Sequence, residues 1–241
     1  MKKILLSTLI FFSCNNSFAN YMNDIYLKIG GGILQGSSNH FYATYESTVD
    51  GAVFPSLNNG RYDNRDLSIN LGIGKNFAIN NFIVSPELTY TAFNLQTRIN
   101  PIINSQDYFS NVFTSELSAD LISLILKLSY KIQEKYSLYL APGIGAARII
   151  TTNSSNSFSD EDEEALQMRA SDRHNKIIPQ IAAGISYQPD SHWGINVDVV
   201  YMHIGNLSAG TFTDPDELNT TSMKVRNVSV FGPELNLTYH F

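Results

Sequence analysis

The sequence predicts an all-β fold, a closed eight-stranded antiparallel transmembrane β-barrel with four long external loops and three short periplasmic turns. Eight segments alternate apolar with small or polar residues, as strands do when one face meets lipid and the other faces a polar interior. The last segment continues this alternation to the terminal Phe241. Short and long connections follow each other in turn along the chain, which is the asymmetry expected of an outer-membrane barrel.

The eight segments set the expected strands. The alternation is clear in the second segment, where Leu67, Ile69 and Leu71 share one face and Ser68 and Asn70 the other. Each segment meets the roughly 9–11 residues that a tilted strand needs to cross a bilayer. We expect strands at residues 25–36, 66–77, 82–95, 120–131, 136–150, 176–187, 193–204 and 227–241.

One segment has an ambiguous pattern. Residues 119–130 are apolar on both faces, with Leu121 and Ile125 opposite Ile122 and Leu124, so that periodicity alone would allow a helix. The position of the segment in the alternating plan favours a strand whose inward side is partly apolar.

The connections follow from the strand bounds. Tight turns are expected at 78–81, 132–135 and 188–192, and long polar loops at 37–65, 96–119, 151–175 and 205–226. An even number of strands returns both termini to the periplasm. Prolines inside predicted strands each remove a ladder hydrogen bond, so we expect them to mark β-bulges or strand segments above the membrane. These prolines are Pro86, Pro142, Pro179 and Pro233.

The first 19 residues have the layout of a cleavable export signal. Two lysines precede a short apolar run, and small residues end at Ala19, where we expect cleavage. The run is shorter than the ~20 residues of a membrane helix. Residues 1–19 are therefore expected to be removed, leaving 20–241 as the outer-membrane β-barrel domain. A lipoprotein anchored through Cys14 is the alternative; without Cys14 the chain has no cysteine for a disulfide or for thiolate chemistry.

Aromatic residues gather beside every predicted short turn and at the end of the last strand. Amphipathic rings concentrate at membrane interfaces, so these residues are expected to form a periplasmic girdle, although aromatic residues also favour strands in general. The expected girdle consists of Phe77, Phe82, Tyr130, Tyr136, Tyr187, Trp193, Tyr239 and Phe241.

Four short segments resemble a known family. They are PELTY at 86–90, GPELNLTYHF at 232–241, LYLAPGIG at 138–145 and LGIGKNF at 71–77. Together they resemble the opacity and surface-antigen type of eight-stranded outer-membrane barrels of Gram-negative bacteria. The resemblance implies a location in the bacterial outer membrane with loops exposed at the cell surface. It also implies a role as surface antigen or adhesin, in some relatives with weak pore activity.

The strand phase directs a set of polar residues into the barrel. An eight-stranded barrel is just wide enough to be filled by side chains, so the lysines are expected to pair with the carboxylates, because an unpaired buried charge is costly. The alternative is that the same charges line a narrow ion-selective pore. The inward residues are Lys28, Asn70, Glu87, Lys127, Gln180, Asn196, Asp198, Glu234 and Asn236, of which Lys28, Glu87, Lys127, Asp198 and Glu234 carry charge.

Two of the predicted loops have unusual composition. The third contains the acidic run Asp160, Glu161, Asp162, Glu163 and Glu164, which is expected to be a solvated face because it lacks the spacing of an EF-hand. Ser159 could cap a short helix that continues to Met168. The first loop is rich in aromatic and apolar residues that either extend the strands above the membrane, which we favour, or form an adhesive patch. They are His40, Phe41, Tyr42, Tyr45, Val53, Phe54, Leu57 and Tyr62.

Catalysis is not expected from the sequence. No histidine has a serine two residues on, which would be the arrangement of lipid-deacylating barrels, and the histidines are too scattered for a metal site. Neither Gly30-Gly31-Gly32 nor Gly143-Ile144-Gly145 belongs to a complete G-x-G-x-x-G nucleotide-binding motif. An outer-membrane hydrolase of lipid or protein, with Asp172 and His174 as an acid–histidine pair, remains a third possibility after surface binding and a pore.

The expected function is therefore binding at the cell surface. External loops on a barrel anchor would bind host or environmental partners, while the barrel contacts outer-membrane lipid and the assembly machinery recognises Phe241. A small passive porin for ions and small solutes is the alternative. Loss of the two signal lysines, with no acid in residues 1–19, changes the formal net charge from −6 to −8. A nucleic-acid partner is not expected for so acidic a chain, and no cofactor is expected.

Overall fold

A computed structural model of the chain describes residues 25–38, 40–46, 53–58, 65–99, 112–157, 166–213 and 220–241. Within these residues all regular structure is β-strand, and none of them belongs to a helix long and apolar enough to cross a membrane. The strands are β1 Ile25–Ser37, β2 His40–Glu46, β3 Val53–Asn58, β4 Arg65–Lys75, β5 Phe77–Ile79, β6 Phe82–Ile99, β7 Val112–Gln133, β8 Tyr136–Ser157, β9 Leu166–Tyr187, β10 Trp193–Thr213 and β11 Thr220–His240.

Eight long antiparallel strands close into a ring. The order is β1, β4, β6, β7, β8, β9, β10 and β11, and β11 pairs back with β1. The short β5 follows β4 after Asn76 and pairs with β6. Closure leaves the ring without a free edge, so backbone groups that face lipid bond to a neighbouring strand. The predicted closed eight-stranded barrel is confirmed.

The strands are longer than the sequence predicted. β7, β8 and β9 have 22 residues each, against about 9–11 needed to cross the bilayer. Their outward residues change from apolar to polar at one cross-strand row formed by Asp120, Arg148 and Asn175. Beyond this row the outer faces of the strands are polar except at Ile150, and for that reason these residues have the composition of loops. The β2–β3 hairpin extends this part of the sheet by pairing with the start of β11.

All four in-strand prolines point outward, inside the apolar band. Pro86, Pro142, Pro179 and Pro233 pair in register with Leu126, Ile181, Ile144 and Val199, respectively. No register shift occurs at them, so the expectation of bulges or of segments above the membrane was wrong. In an antiparallel ladder a residue directs its N–H to one neighbour only, which limits the loss to one bond. The β7–β8 pairing skips from Ile125–Gly143 to Leu128–Leu140, and Pro142 lies in this gap.

The barrel interior has two layers. The periplasmic half is polar and contains the buried Asn70, Glu87, Asn196 and Asp198. The extracellular half is filled by a cluster of buried apolar side chains, which we call the apolar plug. The plug comprises Leu34, Phe93, Leu95, Leu117, Ala119, Leu121, Ala147, Ile149, Ala170, Ile178, Val200, Met202, Ile204, Leu207, Val225, Val228 and Val230. Ala119 and Leu121 come from the segment that is apolar on both faces, and the predicted strand with a partly apolar inward side is confirmed there.

Candidate functional site

The polar half of the interior surrounds one small cavity of about 40 Å³. All nine residues that the strand phase directed inward line this cavity. They are Lys28, Asn70, Glu87, Lys127, Gln180, Asn196, Asp198, Glu234 and Asn236. Tyr139 also lines the cavity. Val200 and Met202 from the apolar plug line its extracellular side.

Lys28 and Glu87 form a largely buried salt bridge. Lys28 Nζ lies 2.6 Å from Glu87 Oε2, and the hydroxyl of the buried Tyr26 donates to the other carboxylate oxygen. Gly72, which pairs with Lys28, leaves room for the lysine stem, since a Cβ there would lie 3.1 Å from Lys28 Cε. Both carboxylate oxygens of Glu87 therefore have a donor, as a buried charge requires.

Lys127 has a different environment from the one expected. Its ammonium donates to Asn196 Oδ1 at 2.9 Å and lies 4.1 Å from the ring centroid of Tyr139, a cation–π geometry. Among the described residues no carboxylate lies within 4.0 Å of it. Of the expected lysine–carboxylate pairings, only Lys28–Glu87 is a direct salt bridge.

Asp198 and Glu234 lie directly opposite each other on β10 and β11. Tyr139 donates its hydroxyl proton to Asp198 Oδ2, and Asn236 Nδ2 donates to the same oxygen at 3.2 Å. Asn70 Nδ2 donates to Glu234 Oε2 at 3.1 Å. Like charges opposite each other repel, and here neutral hydroxyl and amide donors bond to both carboxylates.

Glycines on β1 make space for these long side chains. A Cβ at Gly30 would lie 2.1 Å from Asn236 Oδ1, and one at Gly32 would lie 2.8 Å from Glu234 Cγ. The Gly30-Gly31-Gly32 run therefore serves interior packing through Gly30 and Gly32. It occupies the strand between Asn70 on β4 and Asn236 on β11.

Several polar atoms face the cavity without a protein partner. Asn70 Oδ1, Thr89 Oγ1, Asn196 Nδ2, Asp198 Oδ1 and Asn236 Oδ1 are buried in this way. Buried groups of this kind are usually hydrogen-bonded to water, and 40 Å³ has room for about three molecules. The set contains both a donor and acceptors, and two ammonium groups lie close by, so water suits the cavity better than a metal cation. Among the described residues there is also no cluster of metal-ligating side chains.

The predicted girdle residues come together at the end of the barrel that carries the short turns. Phe82 and Tyr130 lie 5.2 Å apart between ring centroids, Tyr136 and Tyr187 4.8 Å, and Trp193 and Tyr239 4.9 Å. Each pair joins two neighbouring strands. Phe241 packs edge-on against Tyr239 at 5.3 Å, and Phe77 lies beside the ammonium of Lys75.

At the extracellular end, Asp172, His174 and Lys176 follow one another along one face of β9. His174 Nε2 lies 3.6 Å from Asp172 Oδ2 and 2.8 Å from the carbonyl oxygen of Ser208. Within the described residues, no serine hydroxyl forms a hydrogen bond to His174. The described residues thus bring an acid and a base together, with no serine hydroxyl bonded to the imidazole.

Some predicted features lie outside the described residues. These are the acidic run 160–164, Ser159, Tyr62, and the side chains of the aromatic first-loop residues His40, Phe41, Tyr42, Tyr45, Val53, Phe54 and Leu57. The backbone of that loop does form strands β2 and β3. The suggested helix up to Met168 is wrong at its end, because Leu166 already begins β9.

Sequence reasoning missed Tyr26, Tyr139 and most of the apolar plug. Tyr26 lies two residues before Lys28, and Tyr139 alternates with the outward Leu138 and Leu140, so the strand phase could have found both. The plug carries a weaker signal, because an inward apolar residue in a strand looks the same as one that faces lipid.

The sequence matches a protein family over nearly all of the barrel. Residues 16–230 match the family described as outer membrane protein beta-barrel domain. The chain belongs to this family. It is therefore an outer-membrane β-barrel protein of Gram-negative bacteria, located in the bacterial outer membrane. The comparison with curated proteins finds no match.

Solved structures of other outer-membrane proteins share the architecture. OprG from Pseudomonas aeruginosa has a TM-score of 0.52 at 16% identity, covering 91% of this chain and 98% of its own. The protease OmpT from Escherichia coli has a TM-score of 0.51 at 10% identity, with 91% and 97% covered. Ail, the attachment invasion locus protein of Yersinia pestis, has a TM-score of 0.35 at 18% identity, with 91% and 100% covered. At these identities OprG and OmpT show the fold alone.

Proposed function

We propose that this outer-membrane β-barrel protein is a surface-binding protein whose sealed barrel anchors an extracellular binding surface. The observation that carries the proposal is the filled lumen. The cavity around the charged residues has a volume of about 40 Å³, which has room for about three water molecules. The apolar plug lies between this cavity and the extracellular mouth.

A passive porin is the weaker candidate for the same reason. Ion passage needs a continuous water-filled path, and eight-stranded barrels are normally filled by side chains. Here the path would cross both the Lys28–Glu87 salt bridge and the tightly packed Leu121 and Ile149. An enzyme is supported less, since His174 and Asp172 lack a nucleophile among the described residues.

The binding surface would be built on the strand segments above the apolar band. The outer face of β8 and β9 there carries three exposed arginines, Arg148, Arg169 and Arg173. Arg148 and Arg173 are diagonal neighbours, because Arg148 pairs with Asn175 and Arg173 with Ile150. Such a cluster in an acidic chain favours an anionic partner, and a sulfated or phosphorylated glycan of a host or environmental surface has suitable chemistry.

Two further partners complete the proposal. The paired aromatic rings near the short turns would sit at the periplasmic lipid interface as a girdle. Phe241, whose N–H donates to the carbonyl of Ile25 at 3.1 Å, ends the strand that closes the ring and would be the residue that the barrel assembly machinery recognises.

A binding assay with whole cells tests the proposed surface. Cells that display the protein are expected to bind immobilised heparin more strongly than cells without it, and the triple variant R148Q/R169Q/R173Q is expected to lose most of this binding. The double variant K131Q/K135Q removes like charges beside a periplasmic turn and should bind as the wild type does. Equal binding by both variants, or no binding by the wild type, would contradict an anion-binding role for this surface.

A further inference from the structure

The outer wall of the barrel contains an apolar trough across β4, β6, β7 and β8. Its floor is one cross-strand row of backbone, Gly74, Glu87, Ile125 and Gly143, which are paired in register. The trough has a volume of about 870 Å³. We call it the wall trough.

Two rows of outward side chains border the wall trough. The extracellular border is the register row Ile73, Leu88, Leu124 and Ile144. The periplasmic border contains Pro86, Leu126 and Pro142. Because both prolines are short and rigid, this border is low on either side of Leu126, and the β7–β8 ladder is interrupted there. The low periplasmic border of the trough is thus made by two of the prolines that the sequence analysis placed inside strands.

The wall trough has one charged end. Lys75 lines it at the end of β4, separated from the first periplasmic turn by Asn76 and β5, and its ammonium lies 5.6 Å from the ring centroid of the outward Phe77. The opposite end, at Ile144, lies further along its strand from a periplasmic turn. The trough therefore begins at the Lys75 ammonium and extends deeper into the apolar band. It crosses three strand spacings, or about 14 Å.

We infer that the wall trough binds one glycerophospholipid of the periplasmic leaflet, with an acyl chain in the trough and the lipid phosphate at Lys75. The lining of leucine, isoleucine and proline suits a methylene chain and offers no side chain that would bind a polar group along its length. A lysine at a membrane interface extends its ammonium to the headgroup level, where a phosphate is the available anion. This site is separate from the extracellular surface of the proposed function.

Native mass spectrometry of the protein purified from the outer membrane in mild detergent tests the inference. The probes are phosphatidylglycerol and a diacylglycerol with the same chains but no phosphate, and folding of each variant is checked by heat-modifiable gel mobility. Wild-type protein should bind one phosphatidylglycerol about fivefold more tightly than the diacylglycerol. Lys75→Gln should remove this difference, whereas Lys131→Gln, which removes an exposed charge beside the second turn, should keep it.

Filling the trough gives a second, independent measurement. Leu126→Trp places a large ring between the two prolines and should abolish binding of both lipids. Leu237→Trp is its match on the other side of the barrel, since the two leucines are 44% and 40% exposed, and it should bind as the wild type does. The inference is overturned if the wild type binds no better than Leu126→Trp, or if Lys75→Gln and Lys131→Gln behave alike.

Discussion

Lys28 Nζ lies 2.6 Å from Glu87 Oε2 in the polar half of the barrel interior, and both side chains are largely removed from solvent. Removal of the lysine leaves a buried carboxylate with only the Tyr26 hydroxyl as a donor. We expect Lys28→Met to lower the free energy of unfolding by about 3–5 kcal/mol. Urea unfolding in detergent micelles, followed by heat-modifiable gel mobility, measures this.

The same measurement on two further variants tests whether the salt bridge is the cause. Lys131→Met removes an exposed lysine and should stay within about 0.5 kcal/mol of the wild type. The double variant K28M/E87Q removes both charges and should be more stable than K28M alone. If K28M is as stable as K131M, the salt bridge does not hold the interior together.

The apolar plug predicts a second stability difference. Leu121 is buried in the plug, while its neighbour Ile122 points outward and is 58% exposed. Leu121→Ala should cost about 2–5 kcal/mol, because it leaves a cavity in a packed cluster. Ile122→Ala leaves no internal cavity and should cost clearly less in the same urea titration. Equal losses would mean that the plug is loosely packed.

The third periplasmic turn predicts a pH effect. The carboxylate of Asp190 accepts hydrogen bonds from the backbone N–H groups of Trp193 at 2.7 Å and His192 at 2.8 Å. These bonds hold the pKa of Asp190 below its usual value near 3.9, and the bond from Trp193 has the larger effect. A lowered pKa in the folded state contributes stability above the usual value, and this stability is lost as pH falls through the lowered pKa.

Asp190→Asn isolates this contribution. The free energy of unfolding is measured at pH 6 and at pH 2.5. Because the wild type loses the Asp190 contribution below about pH 4, its free energy of unfolding should fall by more than that of Asp190→Asn. Asp66 accepts the backbone N–H of Leu67, and Asp66→Asn is the matched control for the loss of a carboxylate elsewhere on the barrel. Identical slopes for the wild type and Asp190→Asn would refute the role of the turn.

Much of the barrel could be predicted because lipid imposes a strict period of two on the strands. The phase of that period placed Glu87, Lys127 and Asp198 correctly inside the ring. Strand ends could not be found in the same way, since above the apolar band residues such as Arg173 face water on a strand just as they would in a loop. Once lipid no longer faces the chain, the sequence pattern that marks a strand disappears.

The partners of the buried charges were also beyond the sequence. The ammonium of Lys127 lies over Tyr139 and not against a carboxylate, which depends on the relative height of strands and not on their phase. The prolines follow the same logic. Pro142 was expected to distort its strand. It instead pairs in register with Ile181 on β9, and only the pairing with β7 has a gap at this position.

Conductance of the folded protein in a planar lipid bilayer tests the sealed barrel most directly. We predict silent membranes for the wild type and for Lys127→Met, because the apolar plug and not the lysine closes the lumen. Steady, ion-selective current steps whose selectivity changes in Lys127→Met would contradict the account. They would make Lys28, Glu87, Lys127, Asp198 and Glu234 the lining of a pore.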